Sequence, residues 1–267
     1  MGARVFDQFY GYVQVLSTPD VAWILAGALA GGLVNGLTGF GTGVSALPFW
    51  VQAVEPIIAA QMAAGAAVAS QLSTLRSIWH AINWRDVTPM LIAGIAAVPL
   101  GIMGQARIDT ATFKAFIGAI TILYAVIMLS AGGRIRIAAD NPASNASVGF
   151  VGGFLGGLAG ISGVPPTVWA TLNGWPKERR RGVFQAFNLT ILGTMLLASL
   201  VTGRLSWRYA SLLLMALPAT FLGVWIGNTI YRRLDDRRFD TVVLLLLLAS
   251  GLVLVWPMLR LVPAWAQ

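Results

Sequence analysis

Two glycine-rich segments carry the residues best suited to bind a ligand. The first reads NGLTGFGTG at 35–43, and the second reads GLAGISGVPP at 157–166. Each interrupts an apolar run, where irregular backbone survives only if it is buried in protein or lines a polar cavity. A helix that restarts after such a break points its free N–H groups and its positive dipole end into the gap. This pattern predicts a site for a small anion between the two breaks.

Uncharged polar and aromatic side chains near the breaks could complete such a site. Thr42 and Ser162 supply hydroxyls that can cap a helix or contact an anion, and Pro165 suits a first helical turn. Gln61 and Gln185 stand at nearly equivalent positions after the breaks. The predicted substrate-binding residues are Asn35, Gly39, Phe40, Gly41, Thr42, Gly43, Gln61, Gln71, Gly160, Ser162, Gly163, Pro165, Trp169, Gln185 and Asn188. Close glycine-mediated helix packing is the alternative interpretation of either motif alone, and the pairing of the motifs favours the site.

The ionisable residues are poorly placed for catalysis. All ten Asp and Glu residues lie near the ends of apolar segments, the single histidine is His80, and there is no cysteine. An intramembrane enzyme needs a carboxylate pair, a Ser–His pair or a His-rich metal cluster at depth. We therefore predict no catalytic residue, no metal site, no cofactor and no enzymatic activity. The same distribution argues against a proton relay of buried carboxylates.

The composition is that of an integral membrane protein, because 57% of the 267 residues are apolar and only 10% are charged. Uninterrupted apolar stretches of roughly spanning length occupy 57–79, 87–104, 112–131, 183–202, 209–231 and 241–256. The glycine-broken regions extend over 21–54 and 148–172. The net charge of +8 comes from residues between these stretches, so it predicts contact with the lipid bilayer and no nucleic-acid partner. A homodimer is left open.

The two halves of the chain resemble each other. GLTGFGTGV at 36–44 aligns with GLAGISGVP at 157–165, and Trp84–Arg85 aligns with Trp207–Arg208. PLGIMG at 99–104 similarly matches FLGVWIG at 221–227, so three matches follow in the same order at an offset of roughly 121–123 residues.

The predicted fold is an all-α integral membrane protein with two inverted structural repeats in a single transporter domain, 1–267. Each repeat has a broken or re-entrant helical segment followed by three transmembrane helices. The predicted parts are an interfacial amphipathic helix at 3–17, a first repeat at 20–131, a cytoplasmic linker at 132–145 and a second repeat at 146–258.

Charge predicts the orientation. If each broken region re-enters or crosses twice, the loops at 76–86, 132–142, 174–182 and 231–240 share one face. They hold twelve of the eighteen Lys and Arg residues, which makes this face cytoplasmic and places both termini outside. A single crossing by either broken region would overturn this topology.

GLTGFGTGVSALPFW at 36–50 and the segment 152–190 resemble the two signature regions of the sulfite exporter family, TauE/SafE type, a bacterial inner-membrane group. The resemblance covers nearly the whole chain. Family members commonly carry glycine where Ser162 stands and a more glycine-rich sequence at Val164–Pro165.

The resemblance implies a multi-pass inner-membrane protein with about eight transmembrane segments that transports small sulfur-containing anions, such as sulfite, sulfoacetate or other organosulfonates, and we expect an exporter. One half of the molecule would move against the other, and Phe40 or Trp169 would close the apolar side of the site. The alternatives are an anion channel or facilitator for small oxyanions or carboxylates, a membrane-embedded enzyme, and a purely structural scaffold.

Overall fold

The computed structural model of the protein describes residues 17–78, 82–131 and 140–231. These residues form nine α-helices and no strand, which confirms the all-α fold class. The helices are α1 Thr18–Thr38, α2 Thr42–Ala53, α3 Pro56–Ile78, α4 Trp84–Gln105, α5 Thr110–Ala131, α6 Pro142–Ala159, α7 Val164–Leu172, α8 Lys177–Val201 and α9 Trp207–Tyr231. Within the described ranges, α1, α4, α8 and α9 are long and apolar enough to cross a membrane.

Several sequence predictions fall wholly or mainly outside the described residues. They are the interfacial helix at 3–17, of which only Ser17 is described, the loop at 231–240 and the apolar stretch at 241–256.

The first helix of each predicted repeat begins with a capping box. Ser17 accepts a hydrogen bond from the Asp20 N–H, and the Asp20 carboxylate accepts one from the Ser17 N–H. Asn141 and Ser144 make the same reciprocal pair at the start of α6. Because this cap starts α6 at Pro142, the predicted linker at 132–145 is too long, and its last four residues are helical.

Helix α8 starts earlier than its apolar pattern predicts. The apolar stretch begins at 183, but the helix begins at Lys177, directly after Pro176. Lys, Glu and Arg are good helix formers, and the proline fixes an extended backbone just before the first turn. The four basic residues assigned to a loop at 174–182 therefore all lie in the first two turns of a helix.

The helices of each glycine-broken region fold back on each other. The Trp50 indole in α2 donates a hydrogen bond to the Ile24 carbonyl oxygen near the start of α1, at 2.9 Å. Trp169 in α7 likewise donates to the Asn145 side chain near the start of α6, at 2.8 Å. Each second helix therefore returns towards the end of the bundle at which its partner began.

The closest helix packing joins the two halves of the chain. A Cβ atom on Gly32 of α1 would lie 2.1 Å from the Thr220 carbonyl oxygen of α9. A Cβ atom on Gly153 of α6 would lie 2.1 Å from the Gly94 carbonyl oxygen of α4. One turn later, the corresponding contacts join Gly36 to Val224 and Gly157 to Val98. Gly153 and Gly157 follow Gly32 and Gly36 by 121 positions, so the same packing recurs at the offset of the sequence matches.

Two ion-paired clusters define the ends of this bundle. At the Arg179 end, Arg179 of α8 contacts Asp86 of α4 and Asp140, which precedes α6. At the Arg208 end, Arg208 of α9 contacts Glu55, which precedes α3. Helices α3 and α8 cross the bundle between these ends, and both breaks face them.

Candidate functional site

The first break is built by two glycines in the left-handed region. Helix α1 ends at Thr38 and α2 begins at Thr42, with φ of 79° at Gly39 and 89° at Gly41. Other residues rarely adopt such angles. The Thr38 hydroxyl accepts a hydrogen bond from the Phe40 N–H at 3.1 Å, which holds the turn.

The second break begins in the same way. Gly160 ends α6 with φ of 69°, 121 positions after Gly39, and α7 starts at Val164. The N-caps of α2 and α7 are Gly41 and Gly163, and neither makes a side-chain capping bond. The expectation that Thr42 or Ser162 could cap a helix is therefore wrong, because each lies beside the cap position and not at it.

The two breaks meet. A Cβ atom on Gly43 would lie only 2.4 Å from the Gly160 carbonyl oxygen. Between them is a narrow cavity of about 10 Å³, which is room for about one water molecule. Its lining includes nine of the predicted residues: Phe40, Gly41, Thr42, Gly43, Gln71, Gly160, Ser162, Gly163 and Asn188. Val44, Ala67, Ile161 and Leu192 complete it.

Thr42 presents a buried hydroxyl to this cavity. The residue is 1% exposed, and its Oγ1 atom has no hydrogen-bond partner in the described part of the chain. Leaving a buried polar group unpaired costs about 1–3 kcal/mol. A hydroxyl that lines a cavity without an internal partner is therefore free to bind a ligand or water.

Ser162 and Asn188 form the second polar group of the lining. The Ser162 hydroxyl donates to Asn188 Oδ1 at 2.5 Å. Both ends of this amide lie beside Gly163, where a Cβ atom would lie 2.9 Å from Nδ2 and 3.2 Å from Oδ1. The pair therefore places an amide donor beside the second break.

The first turn of α2 adds backbone donors. Its Thr42, Gly43 and Val44 N–H groups have no hydrogen-bond partner within the described residues, and Ser45 makes the first helical bond, to the Gly41 oxygen at 3.1 Å. Helix α7 offers fewer donors, because Pro165 and Pro166 lack an N–H. Most of the N–H groups available to an anion therefore come from the first break.

The lining is symmetric in position but not in chemistry. Asn188 stands 121 positions after Ala67, and Leu192 stands 121 positions after Gln71. In each pair, one residue is polar and the other is apolar. The hydrogen-bonding groups are therefore spread over both halves of the chain without being duplicated.

Other predicted site residues lie outside this lining. Gln61 donates to the Arg204 carbonyl oxygen at 3.2 Å, and the Trp169 indole is bonded to Asn145. Gln185 packs beside the first break, with its Cγ atom 3.4 Å from a Cβ atom built on Gly39. The remaining residues outside the lining are Asn35, buried in α1, Gly39 itself and Pro165.

Gln61 and Gln185, predicted to be nearly equivalent, do not occupy corresponding positions in the structure. Ala64 faces Gly160 as Gln185 faces Gly39, and these two residues are 121 positions apart. Gln61 therefore lies one turn away from the position that corresponds to Gln185.

Sequence reasoning missed Arg181. A Cβ atom on Gly39 would lie 3.2 Å from the Arg181 Cγ atom and 3.6 Å from its Nε atom. A partly buried cation thus lies beside the first break, although the residues predicted for the site include no cation. The basic run KERRR could have indicated this residue. The run was assigned to a loop because the apolar stretch starts at 183, but α8 begins at Lys177 and includes it.

The Arg179 end is held by a cluster of polar side chains. Arg179 Nε lies 2.6 Å from Asp86 Oδ2, and Arg179 Nη2 lies 2.7 Å from Asp140 Oδ2. The guanidinium stacks on the Trp175 ring at 4.1 Å, and the Trp175 indole also donates to Asp140 at 3.0 Å. The Asp86 side chain is only 10% exposed, so the Arg179–Asp86 pair is shielded from solvent more than a surface ion pair is.

The ion pair at the Arg208 end is more exposed. Arg208 Nη1 lies 2.8 Å from Glu55 Oε1, and the two side chains are 35% and 59% exposed. Like the Asp86–Arg179 pair, it joins the first turn of one helix to the start of a helix in the other half. The charges are reversed between corresponding helices. Helix α9 corresponds to α4 in the sequence alignment of the two halves, and it carries the cation here, whereas α4 carries the anion at the other end.

Apolar helices of spanning length around a small cavity lined by hydroxyl, amide and backbone N–H groups suit a membrane transporter. Among the described residues there is no cluster of metal-ligating side chains. Residues 23–254 match the family model of the sulfite exporter TauE/SafE, and the chain belongs to this family. It is therefore a membrane transporter for sulfite or related sulfur anions and not an enzyme. Neither a curated protein nor a solved structure matches the chain.

Proposed function

We propose that this protein exports small sulfur-containing anions, such as sulfite or organosulfonates, across the bacterial inner membrane, and that the anion binds between the two glycine breaks. The observation that carries this proposal is the cavity lined by the unpartnered Thr42 hydroxyl and the Ser162–Asn188 pair. Hydroxyl, amide and backbone N–H donors can together surround the oxygens of a small oxyanion.

The state of the cavity favours a carrier over an open channel. A volume of about 10 Å³ is too small for a sulfur oxyanion, so the helices must separate before it binds. The ion-paired clusters join α4 to α8 at one end and α9 to the start of α3 at the other. We infer that transport opens one cluster at a time, as alternating access requires.

The helix contacts support an inverted repeat and suggest the moving units. The α1–α2 pair and the α6–α7 pair extend into the bundle from opposite ends, and α1 packs on α9 while α6 packs on α4. We therefore assign α1, α2 and α9 to one unit and α4, α6 and α7 to the other. This division replaces the expected movement of one sequence half against the other, because each unit contains helices from both halves.

Transport assays on purified protein in liposomes test the substrate class. Labelled sulfite and a small sulfonate are expected to enter protein-containing liposomes faster than protein-free ones, and unlabelled substrate on the opposite side should accelerate exchange. Equal uptake with and without protein for every sulfur anion would contradict the proposed substrates. An uptake rate that does not change when unlabelled substrate is added on the opposite side would instead identify a channel.

Replacing Thr42 by valine separates binding from folding. The hydroxyl has no internal hydrogen bond, so Thr42→Val should leave the melting temperature unchanged or higher. We expect the KM for transport to rise by about tenfold, as loss of one hydrogen bond to a charged ligand implies.

Thr38→Val is the matched control. The Thr38 hydroxyl is bonded to the backbone of Val34 and Phe40, and it does not line the cavity. This variant should melt at a lower temperature and show a smaller change in KM. An unchanged KM in the Thr42→Val variant would show that the Thr42 hydroxyl does not bind the substrate.

A further inference from the structure

The lining of the cavity contains no ionisable side chain. Its thirteen residues, all within the described part of the chain, are glycine, apolar, aromatic or neutral polar residues. Hydrogen-bond donors can compensate one negative charge in a buried site, whereas a second charge without a cationic partner carries a much larger desolvation penalty.

The nearest cation identified at the breaks is Arg181, and it is not in the lining. Its Cγ and Nε atoms lie beside Gly39, which directly precedes the lining residue Phe40. Its field favours an anion over a cation in the cavity, but the lining itself supplies no cation to pair with a second charged oxygen.

The hydrogen-bonding groups of the lining are few. They are the Thr42 hydroxyl, the Ser162–Asn188 pair, the Gln71 amide and the first N–H groups of α2. Phe40, Ile161 and Leu192 add apolar surface. Apolar surface suits an anion with one oxygen-poor face, such as the sulfur of sulfite or the methyl group of a small sulfonate.

We infer that the transported species carries a single negative charge: hydrogensulfite instead of the sulfite dianion, or a compact monoanionic sulfonate. This inference rests on the proposed function and narrows its substrate by charge. Transport of hydrogensulfite would also move a proton across the membrane as part of the substrate, so no carboxylate in the protein is needed to relay that proton.

The pH dependence of transport tests this inference. Uptake of labelled sulfite at a limiting total concentration is measured between about pH 6 and about pH 8, with the rate in protein-free liposomes subtracted. The rate should follow the hydrogensulfite fraction and fall several-fold across this range, approaching on the order of tenfold per pH unit only well above the pKa of hydrogensulfite. Methanesulfonate is the control because it remains a monoanion throughout this range, and its uptake should stay constant.

Competition provides a second readout at one pH. Unlabelled methanesulfonate should inhibit sulfite uptake, and sulfate, a dianion, should inhibit at least tenfold less at equal concentration. Sulfite uptake that is constant or rises with pH, or sulfate that competes as well as methanesulfonate, would overturn the monoanion inference while leaving anion transport intact. If neither sulfite nor methanesulfonate is transported, the proposed function itself fails, and this inference with it.

A charged variant tests the physical cause. Leu192→Lys would place an amine in the lining, at the position equivalent to Gln71, where it could pair with a second negative oxygen. In protein that purifies as a single species, sulfate should become at least tenfold more effective as a competitor. Unchanged selectivity in this folded variant would show that charge compensation in the lining does not select the substrate.

Discussion

Gly43→Ala is expected to reduce transport by at least tenfold. The added methyl group would lie 2.4 Å from the Gly160 carbonyl oxygen and 2.9 Å from the Ile161 side chain, so it must push the two breaks apart. Overpacking of this kind costs about 1–3 kcal/mol, and here it deforms the binding cavity directly. Uptake of labelled sulfite in liposomes measures the loss, and the melting temperature in detergent measures the destabilisation.

Gly193→Ala is the matched control for this substitution. Gly193 lies within α8, and a Cβ atom there would meet no other atom within 4 Å. Alanine also favours a helix over glycine by about 1 kcal/mol, so this variant should transport normally and melt no earlier than the wild type. Normal transport by Gly43→Ala would show that the close approach at Gly160 is only a packing contact.

Arg179→Gln is expected to open the Arg179 end. It removes two charge-assisted hydrogen bonds and leaves the buried Asp86 without its cation. Hydrogen bonds to charged groups contribute about 1.5–3 kcal/mol each, so the closed state should lose about tenfold or more in population.

Chemical labelling can measure this opening because the natural chain contains no cysteine. Ala67→Cys places a single thiol in the cavity lining. In the Arg179→Gln background, a membrane-impermeant thiol reagent added on the side of the Arg179 end should label it at least tenfold faster.

Arg208→Gln provides the comparison at the opposite end. The Arg208–Glu55 pair is more exposed and contributes about 0–1 kcal/mol, so its loss should change labelling by less than about fivefold. Equal labelling of Ala67→Cys in the wild-type and Arg179→Gln backgrounds would show that the cluster does not control access to the cavity.

The positions of the breaks could be predicted because glycine has a specific local effect. Gly39 and Gly160 adopt left-handed angles that other residues avoid, and such a requirement is visible in sequence alone. The all-α class followed as directly from the long apolar runs. Both features depend on residues that are adjacent in the chain, so they can be predicted from the sequence without knowledge of the tertiary structure.

The contents of the cavity were harder to predict because they depend on distant helices. Trp169 has the size and polarity of a site residue, but α7 places its indole against Asn145 at the Arg179 end. Arg181 reads as part of a surface charge run, yet a helix that starts at Lys177 brings it beside Gly39. The α1–α9 and α4–α6 packing was equally hidden, because glycines spaced four residues apart suit any close helix partner.

The contacts of α1 with α9 and of α6 with α4 have a consequence for how such a molecule could arise. In a chain of half this length, the glycine faces equivalent to those on α1 and α6 would have no partner helix of their own. If the proposed inverted repeat holds, a second and oppositely oriented copy would cover these faces and supply the other side of the cavity. Joining both copies in one chain would let each position change alone, which agrees with the unmatched pairs Ala67–Asn188 and Gln71–Leu192.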